Sequence, residues 1–318
     1  MNWTDPSWRC DVARWIRERL RELGLSLVGP IEHSHVRPWG TAVRVPTDGG
    51  ILWFKANVPP LAFEVPLVET IAERTPERVP RVLASDGPRG WLLMADAGPI
   101  LDDLHPDGPP IEIWQEFLRA YAQLQIDVAP ATETLVAAGV PDRRLPKLLD
   151  PLSQVLENDR LVRPTPEFAL NDDELERLHL LIPKLREATE VLAALDLPDS
   201  VQHDDLHGWN VCVHDGGYRF IDWGDACISH PLLSLGVPLW HVGRDRADGP
   251  RDAYLEPWTA LRPYDELVAA CDAAMLLAQI TGVLKWELIN SALSDEERAG
   301  YEDAITLRLR YMLELACA

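Results

Sequence analysis

Three side chains between Val201 and Ala226 have the types and spacing that a magnesium-dependent phosphoryl transfer demands: the carboxylates of Asp205 and Asp222 and the amide of Asn210. A hard cation such as Mg²⁺ takes a few protein oxygens and completes its shell with water and nucleotide phosphates. A free carboxylate nearby can accept the proton of an incoming hydroxyl. For the three groups to converge, the chain between them must turn back on itself. Val211-Cys212-Val213 and Tyr218-Arg219-Phe220-Ile221 are β-prone runs, and His214-Asp215-Gly216-Gly217 between them is a turn signal. A hairpin is therefore predicted, with Asn210 and Asp222 at its open ends and Asp205 on the loop entering its first strand.

His203-x-Asp205 with Asn210, followed by Asp222-x-Gly224, resembles the catalytic loop and the metal-binding Asp-x-Gly of protein-kinase-like enzymes. The Asp205-Leu206-His207-x-x-Asn210 form, with Ile221-Asp222-Trp223-Gly224, is most similar to the aminoglycoside phosphotransferase and choline kinase branch, which phosphorylates small molecules. The resemblance implies an α+β, bilobal fold: an N-terminal lobe of antiparallel sheet and helix, then a larger, mainly helical C-terminal lobe. It implies Asp205 as the catalytic base, Asn210 and Asp222 as Mg²⁺ ligands, His203 as the brace of the loop, and ATP or GTP as phosphate donor. One position departs from the pattern: Asp204 stands where many members have Gly.

Such a site requires a strand lysine for the nucleotide phosphates and a helix glutamate to pair with it. Ile51-Leu52-Trp53-Phe54-Lys55 is an apolar strand ending in Lys55, after the turn signal Asp48-Gly49-Gly50. Glu64 is the favoured partner and Glu69 the second choice; Glu64 requires a helix that starts beside it, because Pro66 suits only a first turn. The apolar run Gly90 to Met94 stops at Ala95-Asp96-Ala97-Gly98-Pro99, as a hinge would. By resemblance the backbone of Ala95 and Ala97 meets the adenine edge and Met94 lines the pocket. Arg37 to Ala42 is the candidate phosphate-covering loop, with Gly40 as its one glycine.

Two other readings compete. His203, Asp205 and His207 alternate, so on an extended strand they would face one way and suit a zinc or iron hydrolase. That reading leaves Lys55 and Asp222-Trp223-Gly224 without a task. A kinase-fold binding protein without chemistry is the other, although Lys55, Asp205, Asn210 and Asp222 are all present.

With 318 residues the chain suits a lobe of residues 1–97 ending at the hinge and a catalytic, substrate-binding lobe of residues 98–318. Helical spacing is read over Asp11–Leu23, Ile111–Ile126, Glu174–Leu195, Leu267–Asn290 and Asp295–Leu315, the last opened by Ser294 and Glu297 at capping-box spacing. A proline-broken stretch runs from Pro141 to Pro166. Five cysteines without a paired pattern, no signal-like start and no bilayer-length apolar run predict a cytoplasmic protein without a membrane partner, monomeric or weakly dimeric. Thirty basic against 51 acidic residues, a net charge of −21, disfavour nucleic acid and favour a cationic acceptor. Trp240, Tyr254, Trp258 and Trp286 are candidates for an aromatic wall or for core, and Asp204, Asp225, Asp272 and Glu287 for amine contacts.

Overall fold

Alternating burial along residues 51–56 marks a strand with one face packed inward. The computed structural model describes residues 2–317. Strands β1 (Glu32–Arg37), β2 (Gly40–Thr47), β3 (Gly50–Asn57), β4 (Val82–Asp86) and β5 (Trp91–Ala95) form an antiparallel sheet in the order β1-β2-β3-β5-β4. Leu52, Phe54 and Ala56 of β3 are buried, whereas Ile51, Trp53 and Lys55 are half-buried. Helix α1 (Pro6–Glu22) covers the buried face through Trp15, whose ring lies 5.7 Å from Phe54 and 5.6 Å from Trp91. It begins five residues before the predicted start because Asp5 caps the Ser7 N–H and Pro6 takes the first helical position. Helix α2 (Glu64–Arg74) begins at Glu64, which pairs with Lys55, so Pro66 stays within the first turn.

Beyond β5, helices α3 (Leu101–Leu104) and α4 (Ile111–Val128) open a mainly helical half. Trp114, Phe117, Leu118, Tyr121 and Leu124 form the buried stripe of α4, as the spacing predicts. The helix Asp172–Ala194 starts in a full capping box made by Asn171 and Glu174. Two small sheets sit among the helices. Strand β6 (Ser200–Gln202) pairs with β9 (Cys227–Ser229), and β7 (Val211–His214) pairs with β8 (Gly217–Phe220).

Two helix predictions need correction. The run from Leu267 to Asn290 is broken at Ala270 into helices Tyr264–Ala269 and Cys271–Ser291. The bonds of the Ser294–Glu297 box form, but they close only a turn, because Gly300 at φ +89° stops propagation and the last helix is Ala304–Cys317. Among the described residues no helix is long and apolar enough to cross a membrane.

Candidate active site

The β7–β8 hairpin closes as its sequence dictates. Asp215 and Gly216 occupy the two turn positions with φ of +47° and +75°, the conformation that suits Asp-Gly and the twist of the flanking strands. Register then brings the open ends together, with the Ile221 N–H donating to the Asn210 carbonyl at 3.0 Å. Asp222 follows in a left-handed conformation, φ +64°, so the chain swings its carboxylate toward the sheet. There Lys55 Nζ lies 2.6 Å from Asp222 Oδ1 and 2.5 Å from Glu64 Oε1.

Glu64 is almost fully buried and each of its oxygens has work beyond the lysine. Oε1 also accepts the Trp223 backbone N–H at 2.8 Å, and Oε2 accepts from Asn57 Nδ2. A buried carboxylate is tolerated only when satisfied in this way. Burial pulls the Lys55 pKa down while Asp222 and Glu64 pull it up; the carboxylates win, and the ammonium titrates above the ordinary lysine range. Glu69, the second choice for the pairing, instead accepts from Ser85 Oγ at 2.5 Å on the surface.

The catalytic-loop sequence wraps around Asp205. One of its oxygens, Oδ2, accepts from Asn210 Nδ2 at 3.0 Å and from His207 Nε2 at 3.3 Å, while Oδ1 lies 3.5 Å from Lys285 Nζ. The Trp209 N–H donates to His207 Nδ1, which assigns that ring's proton to Nε2, facing Asp205. Burial raises the Asp205 carboxyl, but Lys285 and His207 more than reverse it and hold it well below the usual carboxylate range. His203 is fully buried; its backbone N–H donates to the Tyr121 hydroxyl at 2.8 Å and its Nε2 meets the Ile221 carbonyl at 2.8 Å, so it bridges the loop and the strand end before Asp222. Burial lowers its pKa to about 4, leaving a neutral ring.

A family model described as the phosphotransferase enzyme family matches residues 52–267, from the strand of Lys55 to beyond the Asp-x-Gly segment. The chain belongs to the phosphotransferase enzyme family. No curated protein matches its sequence. Solved structures share its fold at low identity. The GDP and kanamycin complex of APH(2″)-IIia is 16% identical with a TM-score of 0.61, covering 96% of this chain and 98% of that one. An ethanolamine kinase of Plasmodium vivax is 11% identical with a TM-score of 0.63, covering 97% and 89%. The macrolide 2′-phosphotransferase MphH of Brachybacterium faecium, as apoenzyme, is 17% identical with a TM-score of 0.60, covering 92% and 97%. The fold is thus the α+β, kinase-like one of small-molecule phosphotransferases.

In this phosphotransferase Met94 shares a sheet face with Lys55, since Trp53 opposes Met94 and Lys55 opposes Leu92 across β3 and β5. The expectation for Ala95 is narrowed: its N–H already donates to the Arg81 carbonyl at 2.9 Å, which leaves only its carbonyl for a ligand. Ala97 is buried at the hinge, just before Gly98. The β1–β2 turn is a tight Pro38-Trp39 link rather than a glycine-rich loop, and Trp39 packs on Trp286 and Tyr301 with ring centroids 5.4 and 4.8 Å away.

The hydrolase reading fails on geometry. Asp204 breaks the strand alternation with φ +59°, and the nitrogens of His203 and His207 nearest the site are engaged with Ile221 and Asp205. No group of three or more His, Cys, Asp or Glu residues suited to a metal occurs among the described residues. Of the four aromatic candidates, Tyr254 and Trp258 are fully buried core, Trp286 meets Trp39 and Tyr301, and Trp240, 52% exposed, faces solvent. Two of the acidic candidates for amines are already engaged. Asp204 is buried and accepts from Gln202 and Thr281, and Asp225 pairs with Lys285 at 2.9 Å. Burial and the nearby Asp205 and Asp222, opposed by Lys285, push the Asp225 carboxyl up to about 7.

Sequence reasoning missed Lys285 and Asn57. For Lys285 a signal existed: it is the single charged residue in the run Leu276 to Trp286, most of which the helix buries.

Proposed function

We propose that the protein transfers the γ-phosphate of ATP or GTP to a hydroxyl of a small molecule, with Mg²⁺ as the metal. The observation that carries this reading is the ion array in which Glu64, Lys55 and Asp222, from a helix, a strand and the Asp-x-Gly segment, meet within hydrogen-bonding distance. In this reading residues 1–97 are the nucleotide lobe and residues 98–318 the lobe for catalysis and acceptor.

Lys55, held by Glu64, steadies the nucleotide phosphates. The Ala95 carbonyl and the Ala97 N–H serve the adenine edge, and Met94 lines the base pocket. Asn210 and Asp222 fit a hard cation: the Asn210 Nδ2 donates to the carbonyl and carboxylate of Asp205, leaving its Oδ1 as ligand, and the Asp222 side chain is 55% exposed. When bound, the cation would neutralise charge on the β- and γ-phosphates. Asp205 orients the acceptor hydroxyl and takes its proton as the bond from the γ-phosphorus to the diphosphate breaks and the bond to the acceptor oxygen forms. Nucleoside diphosphate leaves.

The net charge of −21 supports a cationic acceptor such as an aminoglycoside, amino sugar or amino alcohol, as do the kanamycin-bound and ethanolamine-kinase relatives of the fold. A coupled assay of nucleoside diphosphate release over such a panel, with Asp205→Asn as the blank, tests the reading. Turnover above the blank is expected for at least one acceptor, and none across the panel with either nucleotide would overturn it.

A further inference from the structure

Lys285 occupies a place that an apolar helix does not offer cheaply. It is 4% exposed on the helix Cys271–Ser291, between the buried side chains of Leu284 and Ile289. An ammonium is kept in such a site only if its donors are all met. The Lys285 ammonium donates to the Asp204 carbonyl at 3.0 Å and forms ion pairs with Asp225 Oδ2 at 2.9 Å and Asp205 Oδ1 at 3.5 Å. Buried and surrounded by these protein oxygens, this lysine acts on the protein rather than on substrate.

The same helix grips the loop twice. Thr281, one turn before Lys285 and on the same face, donates to Asp204 Oδ1 at 3.0 Å. The left-handed conformation of Asp204, where glycine would be the easier residue, turns its carbonyl to Lys285 while its side chain is held by Thr281 and Gln202. With Oδ2 of Asp205 already shared by Asn210 and His207, the contact to Oδ1 fixes the remaining freedom of the carboxylate plane. Asp225 belongs to the segment that begins at Asp222, so the ammonium also ties that segment to the loop of Asp205.

We propose that Lys285 is a positioning residue for phosphoryl transfer: by bridging Asp205 and Asp225 it sets the base against the acceptor hydroxyl and locks together the two segments that carry base and metal ligands. This rests on the phosphotransfer reading above. Misplacing a reacting group by about 1 Å costs on the order of a hundredfold in rate, and that is the loss expected when the bridge is removed.

The test is steady-state kinetics of the full chain with Mg-nucleotide and an acceptor that the wild type turns over, beside Lys285→Met and Lys285→Arg, with the Mg-ADP-induced thermal shift recorded for each. Lys285→Met should lose about a hundredfold in kcat while both KM values stay within about threefold. It should keep its nucleotide shift, and Lys285→Arg should recover part of the loss in kcat by restoring the charge. A wild-type kcat in Lys285→Met, a loss confined to KM, or a loss that follows the nucleotide shift would overturn the proposal. Should the methionine variant not fold, Lys285→Gln decides: it keeps a donor for the Asp204 carbonyl without the charge, and a kcat equal to wild type would refute the role. Failure of the wild type to transfer phosphate to any acceptor would instead sink the phosphotransfer reading, and this inference with it.

Discussion

Asp205→Asn keeps the size of the side chain and removes the proposed acceptor of the proton. The expected outcome is a fall in kcat of about 10²- to 10⁴-fold, with the nucleotide dissociation constant unchanged in a titration of Mg-ADP. Glu64→Gln should act on the other side of the reaction. It weakens the hold on Lys55 Nζ, and the nucleotide KM should rise more than kcat falls. A third test concerns protons rather than turnover. His230 is 2% exposed, and burial lowers its pKa to about 3, whereas the unfolded chain titrates near the ordinary 6.5. Between those values the unfolded state binds the extra proton, so this group costs stability as pH falls below 6.5. Stability lost between pH 7 and pH 5, measured by denaturant titration, should be smaller in His230→Gln by about 2 kcal/mol.

The proposed hinge and the β7–β8 hairpin are joined more tightly than their distance along the chain suggests. The Val213 N–H donates to the Pro99 carbonyl at 2.9 Å, and Ile100 bridges to Cys212. Gly98 makes this contact possible: its φ is +101°, and a Cβ there would sit 2.2 Å from the Val213 carbonyl oxygen. Gly98→Ala should therefore push the hinge off β7 and shift the nucleobase pocket with it. A drop in melting temperature of several degrees, about 1–3 kcal/mol, and a raised nucleotide KM are expected, read by thermal scanning and initial rates. An unchanged KM would show that the hinge takes no part in nucleotide binding.

Across the whole molecule the two halves meet at charge and at aromatic rings. The ion array joins the sheet to the Asp-x-Gly segment, and Trp39 reaches from the β1–β2 turn to Trp286 and Tyr301. The chain as a whole carries excess negative charge, with 51 acidic to 30 basic residues. If the acceptor is cationic, this field raises its local concentration, and kcat/KM should fall severalfold as salt rises through the range where the Debye length shrinks from about 10 Å to about 3 Å. A neutral acceptor should show a flat dependence in the same assay, so the salt series separates the two acceptor classes without a structure of the complex.

Local spacing carried much of the site. The turn residues Asp215 and Gly216 dictate a hairpin, the hairpin dictates that Asn210 and Asp222 end side by side, and Pro66, which suits only a first turn, fits the start of α2 at Glu64. These are short-range consequences of backbone sterics, legible in any sequence. Helix ends were less so, because a capping pair such as Ser294 and Glu297 nucleates a turn whether or not the following residues continue it. What spacing alone did not contain was which polar groups are already satisfied. Asp204 and Asp225 read as free carboxylates for an amine, and Ala95 as a free backbone pair, until tertiary packing assigned them to Thr281, Lys285 and Arg81. Lys285 and Asp205 are eighty positions apart, and only the burial of an entire helix against the loop brings them within 3.5 Å. The residues proposed for phosphate chemistry were thus positioned in part locally, by turns and strand register. Their restraint was decided by long-range packing, because a buried charge must find its partner wherever the fold supplies one.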